Sequence, residues 1–505
     1  MTRVVVVGEG MVGTRFVTDL LALDRDERFE VTVLGEEPYE PYNRILLAEV
    51  LAGAVDLAAI TMPSVEGPRA RVVRGQPAVA VDRQRRLVRT ADGTTHAYDL
   101  LVLATGARAR VPDVPGLGAE LPGGVHALRT VDDCRDLVAG ATNARRAVVL
   151  GGGLLGLEAA RGLSQRGVPV TVVHAAPHLM ERQLDADAAA VLAAAAERLG
   201  LQVLTGAQLA EVVRDGAGRL ASVRLRDGAG VPADLLLLAV GAAPETALAR
   251  AAGLPVDVGV LVGEDLRSPA DGHVAAIGDC AQPPEGGTGL VADGWAQSRR
   301  LADLLTGRGT ATAPQQRGPG VVVLKAEGLD VVTMGRPGTA GDRRVRLSDP
   351  VGLRHVEVVV DGDALAGATC VGAPDVAADL MAAFDRGTPL PVDPAHLLVR
   401  PATGVVPREA SSPTTMPDRA TVCRCNGVTK GDLVRAWSGG ARTVEHAARA
   451  TRATTGCGSC REAVCGLLEW LARADPDPSQ PPPARGEEPV SPAKPSRRPA
   501  ETRRS

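Results

Sequence analysis

Two sets of residues in this 505-residue chain have types and spacings suited to redox chemistry. The first is a set of four cysteines near the C-terminus. Cys423 and Cys425 form a Cys-x-Cys pair in VCRCNGVTKGDL, and Cys457 and Cys460 form a Cys-x-x-Cys pair in TTGCGSCREAV. Two close thiolate pairs converging from separate segments can saturate one tetrahedral zinc ion or the two irons of a [2Fe-2S] cluster, because thiolate is a soft ligand suited to both. Spacing alone leaves both open. The second set is glycine. Gly8, Gly10 and Gly13 in RVVVVGEGMVGTRF occupy the positions of a GxGxxG fingerprint, and Gly151, Gly153 and Gly156 repeat it in RRAVVLGGGLLGLEAARGL. The first glycine allows a tight turn, the second admits a pyrophosphate close to the backbone, and the third lets a helix pack on a strand. Two dinucleotides are implied.

The elements that must position these residues are readable around them. Each fingerprint follows a short all-apolar strand and opens a helix, so the helix N-terminus meets the negative charge of the ligand. A second apolar strand, FEVTVLGEE, ends in Glu36, placed to accept hydrogen bonds from an adenosine ribose. Between the fingerprints, HAYDLLVLATG is a buried strand ending in Thr105-Gly106. After the second come ADLLLLAVGAAPET with Gly241 and HVAAIGDCAQ with Gly278-Asp279.

Composition narrows the class. Lys+Arg 56 against Asp+Glu 60 gives a net charge of −4, with no basic field to attract nucleic acid or an anionic membrane. Apolar runs such as LLLLAV suit buried parallel strands and are too short to span a bilayer. The opening MTRVVVVGEG enters a strand at once, leaving no room for a secretory leader, so a soluble cytoplasmic protein is expected. Of the eight cysteines, Cys134, Cys280, Cys370 and Cys465 are scattered and are expected to be buried thiols.

The order of motifs over about residues 1 to 310 resembles the two-dinucleotide-binding-domain flavoproteins typified by ferredoxin and rubredoxin reductases. That resemblance implies FAD at Gly8, Gly10, Gly13, Glu36, Thr105, Gly106 and Asp279, the aspartate accepting from the ribityl chain. It implies NAD(P)H at Gly151, Gly153, Gly156, Glu158 and Gly241. The four cysteines resemble the BFD-like domain, which holds [2Fe-2S] at this spacing. Glutathione-reductase-like members carry a redox-active cysteine pair after the first helix, whereas EEPYEPYNRILLAEVLAG has none. Electrons must therefore leave the flavin by another carrier, for which the C-terminal cysteines are the candidate. GEEP, YNRILL, MERQLD and the trailing cysteine domain together resemble the flavin part of assimilatory nitrite reductase and the electron-transfer subunits of assimilatory nitrate reductase. By that likeness Arg44 stands near the flavin as a catalytic cation stabilising the reduced ring. The acceptor would be a separate protein, a nitrate or nitrite reductase catalytic subunit. A general ferredoxin-type reductase for another partner is the alternative, and a zinc-holding redox sensor without catalysis the more distant one. In the nucleotide domain His174 stands where an acid would select the 2′-hydroxyl, with Arg182 nearby. Neither rule for NADH or NADPH decides, and the family likeness favours NADH.

The expected fold is α/β. It has a FAD-binding domain in two parts (1–115 and 246–309), a Rossmann-like NAD(P)H-binding domain (116–245), a small α+β C-terminal domain (318–398) and a small helical cluster domain (420–472). A Pro-rich tail, 473–505, is expected to be disordered. In the α+β domain, strands flank a DGD turn and precede the helix APDVAADLMAAFDRG. Its expected role is support of the flavin domain or formation of a homodimer.

Overall fold

The computed structural model describes residues 1–118, 120–287, 289–309, 320–339, 341–387, 389–398, 416–418, 420–423, 428–454 and 460–474. These fall into two compact units, one extending to residue 398 and one beginning at 416.

The first unit contains two Rossmann-like sheets. One runs in the order Arg267–Ser268, Asp271–Ala276, Leu100–Leu103, Thr2–Val7, Phe29–Leu34, Ala70–Val73. Its central strands pair in parallel. Leu100–Leu103 is buried at every residue, as parallel strands covered on both faces must be. Helices Met11–Leu23 and Val291–Leu305 pack together, with Ser298 Oγ donating to Val12 O at 3.2 Å. Strand Asp271–Ala276 joins this sheet from far along the chain. The intervening residues hold the second sheet, in the order Gln202–Leu204, Val170–Val173, Ala147–Leu150, Leu235–Leu238, Val125–His126, again parallel. The chain crosses between the sheets through an antiparallel link, Ala107–Ala109 on Ala242–Pro244.

A five-stranded antiparallel sheet completes the unit, in the order Val322–Ala326, Leu329–Gly335, Ala364–Val371, Arg354–Asp361, Arg343–Asp349, with helix Pro374–Arg386. The DGD turn falls between Arg354–Asp361 and Ala364–Val371, with Gly362 at φ +62°. Strand Arg343–Asp349 is not anticipated by the sequence reading. Its RRVRLSD offers only Val345 and Leu347 to the core, which is what a charged edge strand needs and what hides it from an apolar pattern. The sheet faces two cores: Val332, Met334, Val356 and Val358 pack with Val376 and Leu380 of the helix in a cluster of their own. Leu324, Leu329, Val331 and Val371 share one apolar cluster with Leu157 and Leu163 of the second Rossmann domain.

The second unit is a hairpin, Thr421–Cys423 with Val428–Thr429, followed by helices Lys430–Ser438, Val444–Thr451 and Arg461–Ala474. The first helix starts in a capping box between Thr429 and Asp432. Leu433, Trp437, Ala447, Val464 and Leu467 form its core. Among the scattered cysteines, Cys134, Cys280 and Cys370 are buried as expected, while Cys465 is only partly so, because its helix turns it toward the edge of the core. Among the described residues no helix is long and apolar enough to cross a membrane. The tail from 475 on, with Cys425 and Cys457, lies outside the described residues.

Candidate nucleotide and cluster sites

Both fingerprints obey one geometry. Gly8 has φ +117°, and a Cβ there would stand 2.2 Å from Ala104 O; a Cβ on Gly13 would stand 2.1 Å from Gly8 O. Gly151 at φ +118° and Gly156 repeat this, with Cβ clashes of 2.3 Å to Ala239 O and 1.9 Å to Gly151 O. The first and third glycines are thus demanded by the protein's own packing. The middle ones are not. A Cβ on Gly10 would meet only Arg44 Nε at 4.0 Å, and one on Gly153 would meet nothing within 4 Å. Each middle glycine caps its helix and leaves open space beside it, a fit to a dinucleotide pyrophosphate at each helix N-terminus.

Around the first fingerprint the sequence-assigned residues converge. Ala104, abutting Gly8, leads into Thr105, whose hydroxyl donates to Glu245 O at 2.7 Å, and Gly106 at φ +70°. Arg44, beside Gly10, is ion-paired to Glu37, lies over the Tyr42 ring at 4.9 Å and donates to Arg129 O at 3.1 Å. Arg129 in turn donates to Asp279 Oδ2 at 2.6 Å and to Ala107 O at 3.0 Å. The Tyr42 hydroxyl donates to Glu37 at 2.7 Å and accepts from Val131 N–H, and burial keeps its phenol well above the ordinary range. Glu36 is exposed at the end of its strand.

Two features here escaped the sequence reading. One is Arg129, which ties Asp279 to the Arg44 guanidinium; the signal available was LRTVDD, a capping box realised between Thr130 and Asp133. The other is Glu9, inside the fingerprint itself. Its carboxylate is buried and takes two guanidinium nitrogens of Arg74, at 2.7 and 2.9 Å. Burial lifts the Glu9 carboxyl against the opposing pull of Arg74.

At the second fingerprint, Gly241 has φ +98° and its carbonyl accepts from Arg110 N–H at 3.0 Å, in the interdomain link. Glu158 sits on helix Leu154–Gln165, where its Oε1 accepts from Lys325 N–H of the C-terminal sheet at 3.0 Å. Burial pushes its carboxyl up to about 7, with Lys325 opposing and Glu49 adding. Lys325 Nζ donates to Ile45 O at 3.4 Å, so the segment after Arg44 meets the nucleotide helix and the third sheet. His174 is buried, not presented to solvent. Its Nδ1 accepts from Gly152 N–H at 3.1 Å, and its Nε2 lies 3.1 Å from Glu181 Oε2.

In the second unit, Cys423 closes the strand Thr421–Cys423 and Cys460 immediately precedes helix Arg461–Ala474. Both are buried in one apolar cluster with Leu433, Trp437 and Val464. Thiols from two separate segments thus reach one sheltered locus, a donor set suited to a cluster whose potential depends on burial.

A Rossmann-like domain inserted into a second one, with a cysteine-bearing helical domain following in the chain, defines a flavoprotein reductase that draws electrons from a pyridine nucleotide. The chain belongs to the pyridine nucleotide-disulphide oxidoreductase family, which it matches over residues 2–299. Residues 421–470 match the BFD-like [2Fe-2S] binding domain, and this decides between zinc and cluster where the spacing did not. FAD, NAD(P)H and [2Fe-2S] are the corresponding cofactors. The chain is 32% identical over 484 residues to the nitrite reductase (NAD(P)H) of Bacillus subtilis (strain 168), covering 94% of this chain and 58% of that one. It is 31% identical over 482 residues to the assimilatory nitrate reductase electron transfer subunit of the same organism, covering 94% and 60%. It thus spans little more than half the length of these relatives. Among solved structures, a chain of the covalent putidaredoxin reductase–putidaredoxin complex is similar with a TM-score of 0.67 at 25% identity, covering 78% of this chain and 95% of that one.

Proposed function

We propose that this chain takes reducing equivalents from NAD(P)H at the second fingerprint and passes single electrons, through the C-terminal cysteine domain, to a separate acceptor: an assimilatory nitrate or nitrite reductase catalytic component in the cytoplasm. Bound FAD supplies the conversion from two-electron to one-electron transfer. The observation that carries the reading is the pair of middle glycines at helix N-termini within one unit, Gly153 facing open space and Gly10 facing only the Arg44 guanidinium. Gly8, Gly10, Gly13, Glu36, Thr105, Gly106 and Asp279 would hold FAD. Arg44 belongs with them, and its place beside Gly10 favours the pyrophosphate as the charge it meets. Gly151, Gly153, Gly156, Glu158 and Gly241 would hold the nicotinamide nucleotide. Cys423, Cys425, Cys457 and Cys460 would ligate the cluster. The segment after the first helix has no cysteine, so the flavin edge has no disulfide to reduce and the exit runs to the cluster.

Anaerobic titration with NADH and with NADPH, followed by visible absorption and EPR, tests the path. Flavin bleaching followed by a reduced [2Fe-2S] signal supports it, and bleaching with no cluster signal sinks it. A second reading, a reductase for another small redox protein, is favoured by the 95% coverage of the putidaredoxin reductase complex chain. Turnover with a nitrate reductase catalytic component, compared with a ferredoxin, separates the two.

A further inference from the structure

The nucleotide strand Val170–Val173 ends in His174, where an acid would ordinarily meet the adenosine ribose. An acid reaches the same strand end from elsewhere in the chain. Gly152 N–H donates to His174 Nδ1, so Nδ1 is the acceptor and the ring proton resides on Nε2, which donates to Glu181 Oε2 at 3.1 Å. The segment that brings Glu181 back is pinned to the same glycine. Met180 N–H donates to Gly152 O at 3.0 Å, Met180 is fully buried at φ +50°, and a Cβ on Gly152 would stand 2.5 Å from Leu179 Cδ2. A β-unbranched but non-glycine residue held in the left-handed region, between a buried Leu179 and an exposed Glu181, fixes where the next side chain emerges. Glu181 therefore emerges at the C-terminal edge of the strand, linked to the fingerprint loop through His174, with 38% of its side chain exposed.

We propose that Glu181, held by His174, is the residue that selects the nucleotide: its carboxylate accepts from the ribose 2′-hydroxyl and repels a 2′-phosphate, making the chain specific for NADH. This rests on the function proposed above and names its electron donor. His174 is a positioning residue, since it acts through Glu181. Arg182, the exposed neighbour, is the competing group, a cation suited to a 2′-phosphate.

The test measures NAD+ and NADP+ binding by calorimetry, alongside kcat and KM for NADH and NADPH with ferricyanide. The native chain should prefer the unphosphorylated nucleotide by roughly 100-fold, the scale of a like-charge encounter at close range. Glu181→Gln keeps an acceptor but removes the charge and should lower the preference about 10-fold through KM, with kcat unchanged; Glu181→Arg should invert it. The position is exposed, so both variants should fold. Equal binding of NADP+ and NAD+ by the native chain, or a preference unchanged in both variants, overturns the inference. Failure of both nucleotides to bleach the flavin would overturn the proposed function, while the calorimetric ratio would still decide the role of Glu181.

Discussion

A glycine can be required for two reasons, and at residue scale the fingerprints separate them. Gly156 must lack a Cβ because Gly151 O would lie 1.9 Å away, whereas Gly153 has nothing within 4 Å and an ordinary φ of −85°. Gly156→Ala should therefore cost about 2–4 kcal/mol of stability, through displacement of helix from strand. Gly153→Ala should leave the melting temperature within a few degrees of the native value yet raise the Kd for NAD+ roughly 10-fold by crowding the pyrophosphate. Thermal unfolding of the apoprotein and calorimetry with NAD+ check both halves. Equal loss of stability in the two variants would mean that the middle glycine serves packing. The fingerprints were legible in the sequence because their glycines recur at fixed short spacing between a strand and a helix, even though Gly8 and Gly151 are required by the distant Ala104 and Ala239. The Glu9–Arg74 pair and the Arg44–Arg129–Asp279 chain were not, because they join segments far apart in sequence through tertiary placement.

At the scale of elements, the third sheet is fastened to the nucleotide domain by polar groups as well as by its shared core. Glu158 on helix Leu154–Gln165 meets Lys325 on strand Val322–Ala326, and its carboxyl sits at about 7 against an ordinary 4.5, chiefly through burial. The folded chain thus holds this proton more tightly than the unfolded chain. Its contribution to stability is greatest below the ordinary carboxylate range, falls as pH rises toward 7, and changes no further above that. The native protein should lose stability between about pH 5 and 7 relative to Glu158→Gln, by at most on the order of 3 kcal/mol. Denaturant unfolding of both chains across that range reads the difference, and parallel pH profiles would remove Glu158 as the cause. Arg346 provides the second fastening, from the unanticipated edge strand. It pairs with Asp185 at 2.6 Å and with Glu357, whose side chain is only 8% exposed. Arg346→Ala leaves that buried carboxylate with the more distant Arg344 at 3.8 Å and should destabilise the unit by about 2–3 kcal/mol. Arg346→Lys should recover part of this. The strand carrying Arg346 was invisible to apolar alternation for the same reason that it can present arginine to Asp185, Asp187 and Glu357. The helices and the DGD hairpin were visible because their apolar faces are regular.

At the scale of the whole molecule, the question is whether the C-terminal domain is on the electron path or merely attached to it. The sequence carried this architecture well, since cysteine pairs and repeated fingerprints are patterns that survive without knowledge of packing. The terminal acceptor is not written in them, because recognition of a partner depends on surface rather than motif. Cys457→Ser removes one of the four thiolates, and three cannot complete both irons of the cluster. The flavin should still be bleached by NADH at a rate within about twofold of the native chain, because the second fingerprint and Glu158 are untouched. Transfer to a one-electron protein acceptor should fall by at least roughly 100-fold, and the reduced [2Fe-2S] EPR signal should vanish. Cys465→Ser is the control. Cys465 lies partly exposed on helix Arg461–Ala474, outside the two close pairs, and its loss should leave signal and turnover intact. If Cys457→Ser sustains full protein-acceptor turnover, electrons leave directly from the flavin, and the cysteine domain serves some other purpose.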